Sequence, residues 1–267
     1  MKSFRYLILF VVFMLAVGLA CSAVSGGSAP TEPPVQQQEP VQAEPTMEPT
    51  QAPTEPPAPA PTEEPPAATV EPTEPPAPVS KYFKEEFDPG AVLSNWETFS
   101  LGSGDDSNLK IQQEGDHLMF DLGAEDLYVY YIYNADTYDN VAVTMNAENR
   151  GRNNNNVSLI CRMNSDGTQW YEFSVESGGL WYLYAVDNAY NIIDNGGTNA
   201  LKQGKEVNEY KLVCNDNQIT MYVNGDKIKT VTDTHYVFRD GYVGFNISSL
   251  NVLPITVNVN WFEVSEP

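Results

Sequence analysis

Histidine, cysteine and basic side chains are scarce in this sequence, and each scarcity excludes a class of function. The 267 residues include two His and three Cys. His117 and His235 stand far apart, so a zinc site built from closely spaced His and Cys ligands is not expected. Lys and Arg together number 14 against 36 Asp and Glu, which gives a formal net charge of −22. A field of this sign repels phosphate backbones and anionic headgroups, so neither nucleic acid nor an anionic membrane surface is an expected partner.

The motifs of several common enzyme and nucleotide-binding sites are missing as well. The chain contains no Gly-x-Ser-x-Gly nucleophile elbow, no phosphate-binding loop and no dinucleotide fingerprint. After the N-terminal region, no stretch of ten residues has a convincing helical period of 3.6. Little helix is therefore expected.

The segment 22–80 lacks the side chains that build a hydrophobic core. It contains no Phe, Trp, Tyr, Leu or Ile, whereas 17 of the 20 Pro of the chain and nine Glu lie in it. This composition offers too little apolar surface to offset the entropy of ordering the chain. Residues 21–80 are therefore predicted to be Cys21 and a disordered Pro/Thr/Glu-rich stalk. At about 3.1 Å per residue, the stalk would reach on the order of 180 Å.

The N-terminus has the pattern of a secretory signal. Lys2 and Arg5 precede the apolar run Tyr6–Gly18, which is shorter than the roughly 20 residues of a membrane-spanning helix. Cys21 follows a Leu-Ala pair, and this arrangement resembles a bacterial lipoprotein signal in which the Cys becomes the lipid-modified N-terminus. We expect a signal peptide at 1–20, membrane contact only through the lipid on Cys21, and a cell-surface location. Ordinary cleavage or an uncleaved anchor is the alternative.

The two remaining cysteines form an even pair if Cys21 carries a lipid. Cys161 and Cys214 each end a strand-like apolar run, and an exported protein resides in an oxidising compartment. These features favour a disulfide between them. Two buried thiols that act as small apolar side chains are the alternative.

Short alternating segments separated by turn residues fill the rest of the sequence. In Gln218–Asp233, apolar and polar side chains alternate on both sides of Asn224-Gly225, whose residue types tolerate the positive φ of a tight hairpin turn. About thirteen such strands predict an all-β, two-sheet antiparallel sandwich over residues 81–267. The closing strand Ile255–Val264 is expected to lie centrally and to pair with the first strand. The segment Asp187–Gly197 is interpreted as a loop.

Three stretches of this region are informative about the type of sandwich. They are Phe83–Gly90 (Phe-Lys-Glu-Glu-Phe-Asp-Pro-Gly) with Asn95-Trp96 after it, Tyr171–Val175, and Met221–Gly225 with Thr232-Asp233 and Gly241–Phe245 behind it. Together they resemble the concanavalin A-like lectin and glucanase superfamily, in particular its laminin-G-like and keto-disaccharide-hydrolase-like members. The resemblance implies a jelly roll. Because this fold carries lectins, hydrolases and adhesion modules, it does not choose among their functions.

Catalytic acids are the first requirement of a hydrolase on this fold. Jelly-roll glucanases resemble one another in a Glu-x-Asp-x-(x)-Glu strand, and Glu114-Gly115-Asp116 begins this pattern without supplying a third acid. Glu172 and Glu176 share one face of a predicted strand, but four residues separate them by about 13 Å, against about 5–10 Å between glycosidase carboxyls. A non-catalytic domain is therefore expected. A keto-disaccharide-hydrolase-like enzyme and a protein-binding adhesion module are the alternatives.

The resemblance also implies a calcium-binding site, because members of this superfamily often hold a calcium ion with loop carboxylates and carbonyls. Two predicted loops are rich in such oxygens. They contain Asp105 and Asp106 in the first loop, and Asp187, Asn188 and Asp194 in the second. The preference of Asp and Asn for turns explains the same residues without a metal.

One predicted hairpin is rich in aromatic side chains and carries the functional prediction. Alternation places Trp170 and Glu172 on the face opposite the core, and it places Tyr182 and Tyr184 there too when Leu183 enters the core. Aromatic rings that stack on the C–H face of a sugar, beside carboxylates that accept hydrogen bonds from its hydroxyl groups, form a carbohydrate site. The predicted carbohydrate-binding residues are Trp170, Glu172, Tyr182, Tyr184 and Tyr190, in a domain expected to be monomeric. Cross-strand packing of these rings is the alternative.

Overall fold

A computed structural model describes residues 80–267 of the chain. The predictions for the signal peptide 1–20, for the lipid on Cys21 and for nearly all of the stalk lie outside the described residues. Within 80–267, no helix is long and apolar enough to cross a membrane. The helical structure of this region is a single 3-10 turn at Asp106–Asn108.

Fifteen strands make up this part of the chain. They are β1 (Phe83–Glu85), β2 (Trp96–Gly102), β3 (Lys110–Glu114), β4 (His117–Leu122), β5 (Leu127–Tyr138), β6 (Val141–Asn149), β7 (Asn155–Met163), β8 (Gln169–Glu176), β9 (Leu180–Asp187), β10 (Tyr190–Gly197), β11 (Val207–Asn215), β12 (Gln218–Val223), β13 (Asp226–Thr232), β14 (Gly241–Ser249) and β15 (Ile255–Ser265).

The strands form two antiparallel sheets that pack as a sandwich. One sheet has the order β13-β12-β11-β6-β15-β4-β3, with β1 beside β15, and the other has the order β10-β9-β8-β7-β14-β5-β2. β15 lies centrally: it pairs with β6 on one edge and with β4 and β1 along the other. Phe83 on the first strand pairs with Val264 on the last. The predicted two-sheet sandwich, and this pairing of its ends, are confirmed.

Residue alternation explains why these segments are strands with one buried face. On β8, Tyr171, Phe173 and Val175 are buried in the core between the sheets, and on β12 Ile219 and Met221 enter the same core. Each fully buried large apolar side chain stabilises the fold by about 1.5–3 kcal/mol. The β12–β13 turn is the two-residue loop that the sequence predicts, with φ of 52° at Asn224 and 81° at Gly225.

A disulfide links the two layers through the core. Cys161 on β7 and Cys214 on β11 are bonded, and both are fully buried. β7 belongs to the sheet that contains β8, and β11 belongs to the other sheet. The bond therefore crosses the sandwich and closes a loop with a sequence separation of 53 residues.

The segment Asp187–Gly197, predicted to be a loop, contains a strand. β10 forms at Tyr190–Gly197 and pairs only with β9, with a register shift between Ile192 and Asp194. Its Asn and Gly residues have low strand propensity, so the local pattern does not predict a strand. Backbone pairing with β9 holds this segment as a strand. The register shift is a β-bulge, which an edge strand tolerates.

Candidate functional site

The outer face of the seven-stranded sheet is concave. Tyr130 on β5 and Tyr190 on β10 lie five strands apart in the sheet order, about 24 Å in a flat sheet at about 4.8 Å per strand. Their hydroxyl groups nevertheless meet in a hydrogen bond. Two tyrosine side chains cannot span a flat sheet of that width, so the strands between them curve around a hollow.

An aromatic cluster fills one part of this concave face, and it corrects the prediction for Trp170. Trp170 does lie on the outer face, as alternation predicts, but only 2% of it is exposed. Tyr130 packs edge-on against it at a centroid distance of 5.6 Å, and Tyr190 does so at 6.3 Å. Ile132 and Ile160 complete the apolar surroundings. The predicted display of the Trp170 ring to solvent is therefore wrong, because side chains from β5 and β10 cover it.

Glu172 lies beside this cluster and is 3% exposed, so it is not the open surface acceptor that the sequence predicts. The Trp170 Nε1 group and the Tyr130 hydroxyl both donate to its Oε2 atom, at 3.0 and 3.1 Å. Burial raises the pKa of Glu172 above its usual value, and these two donors only partly offset the effect. The nearby Ser158 hydroxyl also lowers the pKa of Glu172, although it lacks the geometry of a hydrogen bond to the carboxylate.

Tyr182 and Tyr184 lie on the outer face, and Leu183 between them is buried in the core. The two rings stack at a centroid distance of 5.6 Å with an interplanar angle of 15°. Burial, followed by the nearby Glu172 carboxylate, raises the pKa of Tyr184 to about 12. Tyr190 packs edge-on against Tyr184 at 5.4 Å and remains 43% exposed. The two rings on β9 therefore form a half-exposed aromatic surface next to Tyr190.

A cleft of about 580 Å³ opens on this surface. Its lining comes from β2, β5, β7, β8, β9, β10, β14 and adjoining turns: Leu101, Gly102, Ser103, Asp126, Tyr128, Asn156, Glu172, Ser174, Glu176, Tyr182, Tyr184, Tyr190, Ser248 and Leu250. Four of these residues are tyrosines and three are acids, and none of the described lining residues is Lys, Arg or His. The volume lies in the range of small-ligand sites, roughly 300–1,000 Å³.

Polar atoms with unused hydrogen-bonding capacity lie at the floor of this face. Asn156 Oδ1, Ser158 Oγ and Asn246 Nδ2 are buried and have no hydrogen-bond partner within residues 80–267. Asn246 pairs directly with Ser158 across neighbouring strands, and Ser158 pairs with Ser174 in the cleft lining. Because an unmet buried polar group costs about 1–3 kcal/mol, a ligand or water that supplies the missing partner is favoured here.

Several cleft residues were not among the predicted site residues. Ser174 and Glu176 alternate with Glu172 on β8, so Glu172-Phe-Ser-Val-Glu176 has the spacing of the Glu-x-Asp-x-Glu pattern with Ser in the middle. The strand periodicity is the signal that could have identified them. Tyr128 and Asp126 come from a distant strand and its turn, and only the sheet order brings them here.

Three carboxylates of the candidate calcium loops have partners within the protein. Asp105 caps the 3-10 turn by accepting from the Ser107 amide at 2.9 Å. Asp187 accepts from Gln169 Nε2 at 3.0 Å, and Asp194 lies 3.4 Å from the ammonium group of Lys229. Between residues 80 and 267, no group of three His, Cys, Asp or Glu side chains is placed to hold a metal ion.

Comparison with known proteins identifies the fold. No protein-family model matches the sequence, and no curated protein gives a significant match. A Bacillus subtilis protein of unknown function with a galectin-like fold superposes with a TM-score of 0.55 at 12% identity, over 69% of this chain and 94% of its own. Bacillus licheniformis β-glucanase gives 0.54 at 16% identity over 71% and 100% of the two chains, and the laminarinase of Flavobacterium sp. UMI-01 gives 0.52 at 11% identity over 69% and 99%. At such identities the likeness concerns the fold alone, and the predicted jelly-roll sandwich is confirmed.

Proposed function

We propose that this domain binds carbohydrate in the concave cleft without cleaving it. The observation that carries the proposal is the combination of the stacked pair Tyr182 and Tyr184 with Asn156, a cleft-lining residue whose Oδ1 atom has no partner within residues 80–267. A sugar presents apolar C–H faces and many hydroxyl groups on one small molecule. The rings match the first property, and the amide, hydroxyl and carboxylate groups match the second.

The charge of the cleft narrows the class of ligand. Asp126, Glu172 and Glu176 line it, and no basic side chain among the described lining residues balances them. A uronic acid or sulfated sugar would meet carboxylates without a cationic partner, which is an unfavourable arrangement. We therefore propose neutral glycans as the ligands, and we expect acidic polysaccharides to bind at least tenfold more weakly.

Direct binding measurements test this proposal. We expect residues 80–267 to bind at least one neutral polysaccharide in a panel that includes barley β-glucan, laminarin and amylose, measured by calorimetry beside pectin as the acidic polymer. Tyr182→Ala should weaken binding tenfold or more, equivalent to about 1.4 kcal/mol, because it removes half of the stacked pair. Tyr222→Ala is the matched control, since this half-buried tyrosine lies on the other sheet.

The outcome of the panel separates this proposal from a protein-binding adhesion module. An adhesion module would leave the whole panel unbound at millimolar sugar. That result would remove the basis for a lectin-like function. Sugar binding that Tyr182→Ala leaves unchanged would place the binding site outside this cleft.

Glycoside hydrolysis is the second candidate, and one observation favours it. Glu172 and Glu176 both line the cleft, and the raised pKa of Glu172 is the property that a general acid requires. Against it, Ser174 occupies the middle position of the acidic pattern, and two donors already engage Glu172 Oε2. Release of a labelled aglycone or of new reducing ends, abolished by Glu172→Gln, would establish the enzyme.

The location of the domain is part of the proposal. The signal-like N-terminus, Cys21 and the Pro-rich segment 22–80 support a lipid-anchored protein that holds the domain outside the cell at a distance. Mass spectrometry of the mature N-terminus should find a lipid on Cys21. Cys21→Ser should release the protein from the membrane fraction; if both forms fractionate alike, the anchor is not at Cys21.

A further inference from the structure

The cleft occupies only part of the concave face, and on β8 its boundary falls between Glu172 and Trp170. Glu172, Ser174 and Glu176 line the cleft in turn, whereas Trp170, the next outward residue of the same strand, is sealed within the aromatic cluster. A glycan lying along the strands from Glu176 would therefore meet packed side chains after Glu172. The hollow therefore ends there and does not continue along the strands beyond Glu172.

Tyr190 forms the wall at the closed end. Its ring packs edge-on against Trp170 and Tyr184, and its hydroxyl group meets that of Tyr130 from the far side of the face. The ring lines the cleft and is 43% exposed, so it presents a surface to whatever lies in the hollow. The contact between Tyr130 and Tyr190 therefore bridges the concave face from β5 to β10.

The opposite end of the cleft has no equivalent bridge among the described residues. Ser103 lines this end, and both its amide and its hydroxyl group donate to Asp126, which lies on the same side. Glu176 and Ser248 lie near the ends of β8 and β14, where the sheet gives way to loops. The cleft is thus open at one end and blocked at the other.

We infer that the cleft takes the terminal sugars of a neutral glycan chain rather than an internal segment. The inference rests on the proposed carbohydrate binding and concerns which part of the glycan that site accepts. The closed wall at Tyr190 stops a chain from passing through, and the volume of about 580 Å³ holds a short stretch of sugar.

The inference is tested by measuring how the amount of bound protein depends on the number of glycan chain ends. Barley β-glucan, amylose and a linear β-1,3-glucan are each used intact and after partial acid hydrolysis that multiplies the chain ends tenfold at constant mass. Calorimetric titration then gives the moles of protein bound per gram of glycan. We expect hydrolysis to raise this capacity about tenfold for the wild-type domain.

Removal of the wall should abolish this dependence on chain ends. In Tyr190→Ala the end of the cleft opens, so internal segments enter and the ratio of the two capacities should fall toward one. Tyr190→Phe keeps the ring and should retain the tenfold ratio, as should Tyr222→Ala on the other sheet. The wild-type ratio decides the inference even where Tyr190→Ala lowers the stability of the fold.

Two failures are distinguishable. Binding by the wild-type domain at equal capacity per gram before and after hydrolysis would overturn the end-binding inference and leave the carbohydrate proposal standing. Absence of binding to all three glucans and to their fragments would overturn both. A tenfold ratio that persists in Tyr190→Ala would leave end binding standing and would overturn the assignment of the wall to Tyr190.

Discussion

Two buried carboxylates, Asp233 in the loop after β13 and Glu172 on β8, have pKa shifts of opposite direction. Asp233 is 5% exposed and Glu172 is 3% exposed, and each accepts a hydrogen bond from a tyrosine hydroxyl group. For Asp233, burial alone would raise the pKa, but hydrogen bonds from Tyr171 and from three backbone amides lower it below its usual value. For Glu172, burial prevails and the pKa is raised.

The difference lies in the number and type of donors. The amides of His235, Tyr236 and Val237 donate to Asp233 at 2.8, 3.2 and 2.8 Å, and they stabilise its charge while holding the loop that follows β13. Val237 adopts a φ of 56°, which a β-branched residue rarely does, so this loop depends on its anchor. Glu172 has only two side-chain donors and lies next to unpaired polar atoms. A fully satisfied carboxylate maintains the fold, and an incompletely satisfied one borders a cleft.

Removal of the Asp233 carboxylate should have the largest effect. Asp233→Ala leaves the Tyr171 hydroxyl group and three amides without their acceptor and releases a strained loop, so we expect a loss of roughly 3 kcal/mol or more in the free energy of unfolding. Urea denaturation measures the loss. Asp240→Ala, at an exposed position near the end of the same loop, should stay within about 0.5 kcal/mol. Equal midpoints for the two variants would contradict the anchoring role.

Acid should weaken the Asp233 anchor in a defined direction. Because its pKa is lower in the folded state, the stabilisation is complete above the unfolded pKa and is lost as the pH falls through the folded pKa. The thermal midpoint of the wild-type domain should therefore decline below about pH 4. Asp233→Asn should show a shallower decline over the same range; parallel curves would assign the acid sensitivity to other groups.

Neutralisation of Glu172 should have a smaller effect of opposite sign. Its raised pKa means that the contribution to stability is complete at low pH and is lost as the pH rises through the folded pKa. Glu172→Gln removes that loss, and its amide oxygen still accepts from Trp170 and Tyr130. We expect a gain of about 1 kcal/mol at pH 7 that disappears at pH 4, measured by urea denaturation at both values. A loss of stability at pH 7 would mean that the carboxylate is stabilised more than its two donors suggest.

The smallest effect should come from the unpaired hydroxyl group of Ser158. Ser158→Ala removes a buried polar atom without a partner in the described part of the chain, so the free energy of unfolding should not fall and should rise by up to about 1 kcal/mol. Ser249→Ala is the matched control. The Ser249 hydroxyl is buried, donates to the Ala124 carbonyl oxygen at 2.6 Å and accepts from the Leu127 amide at 3.0 Å, so its loss should cost about 1–2 kcal/mol. Similar losses in both variants would show that the Ser158 hydroxyl is satisfied.

Local sequence patterns predict most of the fold because their physical causes are local. The alternation on β8 and β12 and the Asn224-Gly225 turn depend on residues a few positions apart, and the structure agrees with each of them. β10 escapes prediction because its order comes from pairing with β9 rather than from its own Asn- and Gly-rich sequence.

The candidate site is less predictable, since non-local contacts decide what is exposed. Alternation assigns Trp170 and Glu172 to the outer face correctly, yet it contains no information about what covers them. Tyr130 lies 42 positions from Glu172 and 60 positions from Tyr190 in the sequence, and the curvature of the sheet brings all three together. Trp170→Ala is consequently a poor test of ligand binding, because it would open a cavity in a packed cluster and cost roughly 3–5 kcal/mol.

The pairing of β1 with β15 has a mechanical consequence for a tethered protein. β1 is held by three residue pairs at the start of the domain, in the layer that does not carry the cleft. Given the proposed lipid anchor and glycan binding, a pull between glycan and anchor would enter the domain at this short strand. β1 would separate from β15 first and lengthen the connection to the anchor. The disulfide between Cys161 and Cys214 would keep the two sheets together under load.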